Sequence, residues 1–386
     1  MATDTTTAKS VLGVYQHGSA YMVGDGFPVR NLFPSNDLER AVDPFLMLDY
    51  AGPQYFPPTD HPRGVGEHPH RGFETVTIVY EGAVAHRDSA GNAGVIGPGD
   101  VQWMTAASGI VHEEFHEEAF AKKGGTFHAI QLWVNLPRSS KMSAPGYQTI
   151  LNADIPSIDL DGRGRLRVIA GSFLGRKGPA RTFTTVQLYD LQLNAGGRAV
   201  LTVPEGDNSS VFVLQGRASV NGSREAGEAE LIVCERTGSQ IVIEAKADSR
   251  MLVMSGKPID EPIARYGPFV MNTKAELMQA VQSPNILSIT ARLPSKTGRV
   301  CGHFYGQVRL FQQSVPVNIG YRYLRCGDQI KMIFGGVVHL SFLIGQLPGA
   351  IGRGFIHHQG RQEFLVTGFD IMIQEIADQR SLQACA

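Results

Sequence analysis

The chain has 386 residues, with 35 Lys+Arg against 36 Asp+Glu, so no overall field draws it to nucleic acid or to an anionic membrane. That length suggests two or three domains of about 150 residues each. Its 44 Gly and 21 Pro favour many turns and an all-β architecture, without the bias of a fibrous or disordered chain.

Residues 1–10 are polar and carry no apolar core of a secretory signal. Cys234, Cys301, Cys326 and Cys385 have no short spacing, which together with the missing signal points to a reducing, cytoplasmic compartment. From Val11 to Asp60, apolar clusters such as Phe45–Tyr50 alternate with turn-rich pieces, the spacing of short strands. The stretch His68-Pro-His-Arg-Gly-Phe-Glu74 runs into Thr75–Tyr80, a β-branched and aromatic run that stops at Glu81-Gly82. Gly97-Pro-Gly-Asp100 places Pro and then Gly where a type II turn wants them, which predicts a strand from Val101. Gly109-Ile-Val-His-Glu-Glu114 follows, and a further strand is expected over Thr126–Val134, stopped by Pro137.

Residues 141–181 read as a linker. A second block of strands runs from Thr182 to Ser255, and none of the 12 histidines falls between His128 and His303, so this is a second barrel without imidazole ligands. Thr273 and Glu276 form a capping box that predicts a short helix over 273–282. From Asn285 onward ten basic side chains face five acidic ones, a net +5 that leaves −6 on residues 1–284. This extension shows no fixed period and is either an appended small domain or sequence that folds poorly. Its uncharged run between Lys331 and Arg353 holds His339, Pro348 and five glycines, which suits strands and turns better than a membrane span.

On a strand, His68 and His70 share a face, as do His112 and Glu114. Three imidazoles and a carboxylate suit a catalytic transition metal with open positions. Alternation alone leaves Glu74 and His116 open as further ligands, while Glu113 should face away. His86 and His128 have no partner spacing and read as core or surface residues. Trp103 fits either the mouth of a barrel or its core. His303, His357 and His358 are taken as incidental, because adjacent histidines on a strand point to opposite faces.

The segments His68-Pro-His-Arg-Gly-Phe-Glu-Thr-Val-Thr77, Gly99-Asp-Val-Gln-Trp-Met-Thr-Ala106, Ser108-Gly-Ile-Val-His-Glu-Glu114 and Glu261–Thr273 closely resemble the pirin family, over roughly residues 11–282. The resemblance implies two cupin barrels of jelly-roll type in tandem. Residues 1–140 would be the metal-binding domain, 182–284 a C-terminal cupin without ligands, and 285–386 an extension of unknown fold. It places the ligands at His68, His70, His112 and Glu114, with Glu74 as a hydrogen-bonding neighbour. The cofactor implied is one divalent transition metal, Fe(II) first, with Mn, Ni, Cu, Co or Zn as alternatives. The activity implied is a quercetin 2,3-dioxygenase type reaction on a flavonol-like molecule and O2, with Glu114 as ligand and catalytic base. The family's other role is an iron-binding, redox-sensitive co-regulator of a transcription factor or metabolic enzyme. In that case a protein is the partner, any nucleic-acid effect is indirect, and no membrane is involved.

Overall fold

The structure is a computed structural model that describes residues 7–16, 18–33 and 38–283, together with the backbone of strands between residues 301 and 376. The chain divides into two compact units, Met1–Arg292 and Leu293–Ala386.

The first unit opens with β1 (Val11–Gln16), β2 (Tyr21–Val23), β3 (Phe27–Phe33), α1 (Glu39–Val42), β4 (Phe45–Phe56), β5 (Gly64–His70) and β6 (Phe73–Glu81). It continues with β7 (Val84–Asp88), β8 (Ala93–Ile96), β9 (Val101–Thr105), β10 (Ile110–His116), α2 (Glu118–Lys123), β11 (Gly125–Asn135) and β12 (Gly146–Ile150). Two antiparallel sheets result, β12-β9-β6-β11-β4-β3-β2 and β5-β10-β7-β8. The turn expected before β9 is present: Asp100 N donates to Gly97 O at 3.0 Å, and Gly99 takes φ +88°.

The second half of this unit repeats the plan. Ser157–Asp159, Gly164–Ala170, Val186–Leu193, Ser249–Gly256, Asn208–Gln215 and Glu230–Cys234 lie side by side in that order, and a three-stranded sheet comprises Arg198–Thr202, Gln240–Ala245 and Ala218–Val220. Residues 141–181, expected as a linker, therefore contribute strands to both halves. Gly146–Ile150 is short and only partly buried and so carries little apolar pattern, whereas Gly164–Ala170 is a seven-residue, mostly buried strand.

The strongly apolar strands are buried on both faces. Successive side chains of β6 and β11 alternate, so Val76, Ile78, Ile130, Leu132 and Val134 pack with Trp103 against Ile169, Leu188, Phe212, Leu231 and Leu252 of the second half. Each fully buried side chain of this kind contributes roughly 1.5–3 kcal/mol, which makes this shared core the main adhesion between the halves. The opposite faces of the same strands, with Val79, Phe127 and Ala129, line the interior of the first barrel.

The halves also exchange their ends. Strand β1 pairs antiparallel with Glu230–Cys234, and the buried Lys9 donates from Nζ to Asp207 O and Arg236 O, both at 2.8 Å. In return, residues 264–271 come back to the first barrel, where Val270 N donates to Arg71 O at 3.0 Å. Gly72 makes that approach possible: its φ is +90°, and a Cβ there would lie 1.9 Å from Val270 O. The capping box forms as the sequence predicts, with Thr273 N donating to Glu276 Oε2 and Glu276 N to Thr273 Oγ1 ahead of α3 (Lys274–Val281).

In the second unit, Cys301–Val308, Val317–Cys326, Gln329–Phe334, Val338–Leu343, Gly354–His357, Phe364–Val366 and Ile373–Ile376 belong to one seven-stranded antiparallel sheet. His303 and His357 lie on its strands, and His358 lies outside the described residues. No helix among the described residues is long and apolar enough to cross a membrane.

Candidate metal centre

Strand β10 lies between β5 and β7, and its register brings the candidate ligands together. His112 sits opposite His68 and Ile110 opposite His70 on one side, while Glu114 sits opposite His86 on the other. Potential ligand atoms of His68, His70 and His112 lie within 4.8 Å of one another, and so do those of His86, His112 and Glu114. The two groups share His112.

Hydrogen bonds orient the rings. His68 Nδ1 lies 2.8 Å from Gly66 O and His70 Nδ1 lies 3.4 Å from Pro268 O. A carbonyl only accepts, so each Nδ1 carries the proton and each Nε2 keeps a lone pair. His112 Nε2 is buried with no hydrogen-bond partner among the described residues. Burial holds the His70 and His112 rings well below the usual imidazole range, reinforced by the neighbouring His68. His68 is also lowered by burial, against the opposing pull of the Gly66 carbonyl and Glu114. Neutral imidazoles with converging lone pairs are the form a metal requires, so the donor set fits a divalent transition ion.

The Glu114 carboxylate is held at both oxygens. Gln102 Nε2 donates to Oε1 at 3.3 Å and Gln131 Nε2 to Oε2 at 2.9 Å. Each amide is braced in turn: Tyr147 OH donates to Gln102 Oε1 at 3.1 Å, and Trp133 Nε1 lies 3.5 Å from Gln131 Oε1. Half-buried Trp133 stacks on Phe73 and meets the His70 ring edge-on.

Comparison with known proteins agrees with the motifs. Residues 26–134 match the Pirin family and residues 188–283 its Pirin C-terminal cupin domain. A Pseudomonas aeruginosa protein provisionally named a quercetin 2,3-dioxygenase is 54% identical over 275 residues, spanning 71% of this chain and 96% of that one. The chain belongs to the pirin family. A "Pirin-like protein" of Solanum lycopersicum is 38% identical over 262 residues, spanning 67% of this chain and 86% of that one. The solved structure of an Acinetobacter baumannii quercetin 2,3-dioxygenase superposes with a TM-score of 0.70 at 49% identity, covering 72% of this chain and 96% of that one. The two halves of the first unit are thus the tandem cupins of a pirin.

Within this pirin the remaining sequence candidates separate cleanly. Glu74, the carboxylate that alternation left open, faces away from the histidines. It sits opposite Thr105 and Val134 on the side of β6 that packs into the shared core, and its Oε1 accepts from Thr105 Oγ1 at 2.7 Å. Counting along the chain failed there because Arg71 and Gly72 separate β5 and β6, which belong to different sheets. Burial raises the Glu74 carboxyl to about 7.

His116 is on the ligand face but farther along β10. Its Nε2 bonds Gly26 O at 2.9 Å, and Phe27, Phe56, Phe120 and Phe127 surround the ring. It is buried in these aromatic surroundings. Trp103 is a core residue; Trp133 stands beside the histidines instead. His128 is buried between Tyr50 and Tyr80, as a core histidine should be. His86, read from sequence as an ordinary core or surface residue, lies in the ligand cluster. Its signal is strand pairing, which no spacing in the sequence reveals. Cys234 is a buried free thiol whose burial pushes it up to about 12.

Proposed function

We propose that the chain is a metal-dependent dioxygenase of the quercetin 2,3-dioxygenase type, with His68, His70, His112 and Glu114 holding one divalent transition metal, Fe(II) first. The observation that carries this reading is the cluster of His68, His70 and His112. Backbone carbonyls take the Nδ1 protons of His68 and His70, and a buried carboxylate is steadied beside the cluster. The quercetin 2,3-dioxygenase names among the relatives supply the substrate class.

When bound, the metal supplies Lewis acidity and open coordination positions. Glu114 takes the proton of the flavonol 3-hydroxyl at a carboxylate oxygen, and Gln102 and Gln131 keep that carboxylate aimed. Trp133 offers aromatic surface next to His70 for the substrate ring. Burial of the imidazoles keeps them neutral.

The test is reconstitution with Fe(II), Mn(II), Ni(II) or Cu(II), followed by incubation with quercetin and O2. Ring cleavage with release of carbon monoxide is expected. Metal-loaded protein that leaves flavonols untouched overturns the proposal.

A further inference from the structure

His68 and His70 are oriented by backbone carbonyls, but His112 has no such help. It lies mid-strand with β5 on one side and β7 on the other, where carbonyls are committed to the ladders. Its Nδ1 meets a side chain instead, His86 Nδ1, at 3.3 Å.

Which of those two nitrogens carries the proton follows from the next contacts. His86 Nε2 lies 3.3 Å from Asp88 Oδ2, a carboxylate that only accepts, so the proton of a neutral His86 ring sits on Nε2. Asp88 is itself anchored, accepting at Oδ1 from Ala90 N and Asn92 N and at Oδ2 from Asn92 Nδ2. His86 Nδ1 is therefore a lone pair. Gln102 Nε2, which only donates, lies 3.5 Å from it. His112 Nδ1 must then be the donor, which leaves His112 Nε2, the buried atom without a partner, as the free lone pair. His86 is 1% exposed and stacks on Tyr147 with ring centroids 4.8 Å apart, so its ring angle is set as well.

We infer that His86 is a positioning residue: the chain Asp88–His86–His112 sets the tautomer and ring angle of His112, as the Gly66 and Pro268 carbonyls do for His68 and His70. Carboxylate–histidine–metal arrangements hold a ligand in this way; here a second imidazole extends the chain. The inference rests on the metal reading above.

The test uses Co(II) as probe, with affinity measured by chelator competition and the ligand field read from the visible d–d bands. His86→Phe keeps the ring stack on Tyr147, and His86→Leu removes it; both abolish the acceptor. His86→Gln restores an acceptor through Oε1. Both apolar variants are expected to fold by thermal melting and to bind Co(II) roughly 10–100-fold more weakly, with shifted d–d bands. His86→Gln is expected to bind close to wild type. Wild-type protein that takes up no Co(II) removes the metal reading, and the inference with it. Wild-type uptake with unchanged affinity in a folded apolar variant overturns the positioning role alone. A folded His86→Gln as weak as His86→Phe overturns it too, because His86 would then be a ligand.

Discussion

Gln131 Nε2 donates to Glu114 Oε2 at 2.9 Å, a bond that joins the large sheet of the first barrel to the small one. It ties the proposed base to a rigid strand rather than to a loop, and Gln131 also lies 3.5 Å from Thr77 Oγ1. Replacing it by Leu keeps the volume but strips one carboxylate oxygen of its donor. Gln131→Leu is predicted to lower kcat on quercetin roughly tenfold, in the range for residues that orient a metal site, with KM little changed. Glu114→Gln is predicted to abolish turnover. Steady-state kinetics on the metal-loaded protein checks both, and an unchanged kcat for Gln131→Leu means the carboxylate is aimed by other groups.

Glu74 makes a prediction about pH. Its carboxyl is raised from 4.5 to about 7 in the folded chain, so between those values the folded state holds a proton that the unfolded state has released. Stability from this group is complete below about pH 4.5 and is lost as pH rises through 7. Glu74→Gln stays neutral and keeps an acceptor for Thr105. Relative to wild type it should gain roughly 2–3 kcal/mol between pH 4.5 and pH 8, measured by urea denaturation. A pH-independent difference would show that the carboxyl titrates normally.

Lys141 is 2% exposed and donates from Nζ to Gly72 O, Asn135 Oδ1 and Val270 O. It fastens the returning C-terminal segment to the end of the ligand strand, and burial lowers its ammonium to about 8. Lys141→Met leaves buried acceptors unpaired and is predicted to cost about 3 kcal/mol. Residues 261–283 should become protease-sensitive before the rest of the first unit. Cleavage elsewhere first would argue that another contact holds this segment.

Residues 285–386 lie beyond both cupins. A chain ending at Pro284 keeps every hydrogen bond described for the ligand cluster, so its metal stoichiometry and melting temperature should match those of the full chain. A melting temperature lower by several degrees would show that the extension supports the cupins.

Much of the site was legible because strand chemistry is local. The alternation of His68 with His70 and of His112 with Glu114 follows from a period of two, and it survives in the structure. So do the turn at Gly97–Asp100 and the capping box at Thr273 and Glu276, each set by residues within one turn of chain. Resemblance to the pirins then selected Glu114 over Glu74, and of these two carboxylates it is Glu114 that lies beside His112 and His86.

The remainder depended on which strands become neighbours. Glu74 could be assigned only once Gly72 was seen to break the chain between two sheets, which resets alternation. His86 joined the cluster because β7 pairs with β10, and Gln131 reached Glu114 because the two sheets face each other. Trp103, which the sequence left open between barrel mouth and core, turned to the shared core, and Trp133 stands beside His70 by the same rule. Sequence by itself determined most of the strands, the candidate ligand types and the absence of histidines from the second half. Tertiary structure decided the groups that orient them, because hydrogen bonds across sheets join residues whose separation along the chain carries no period.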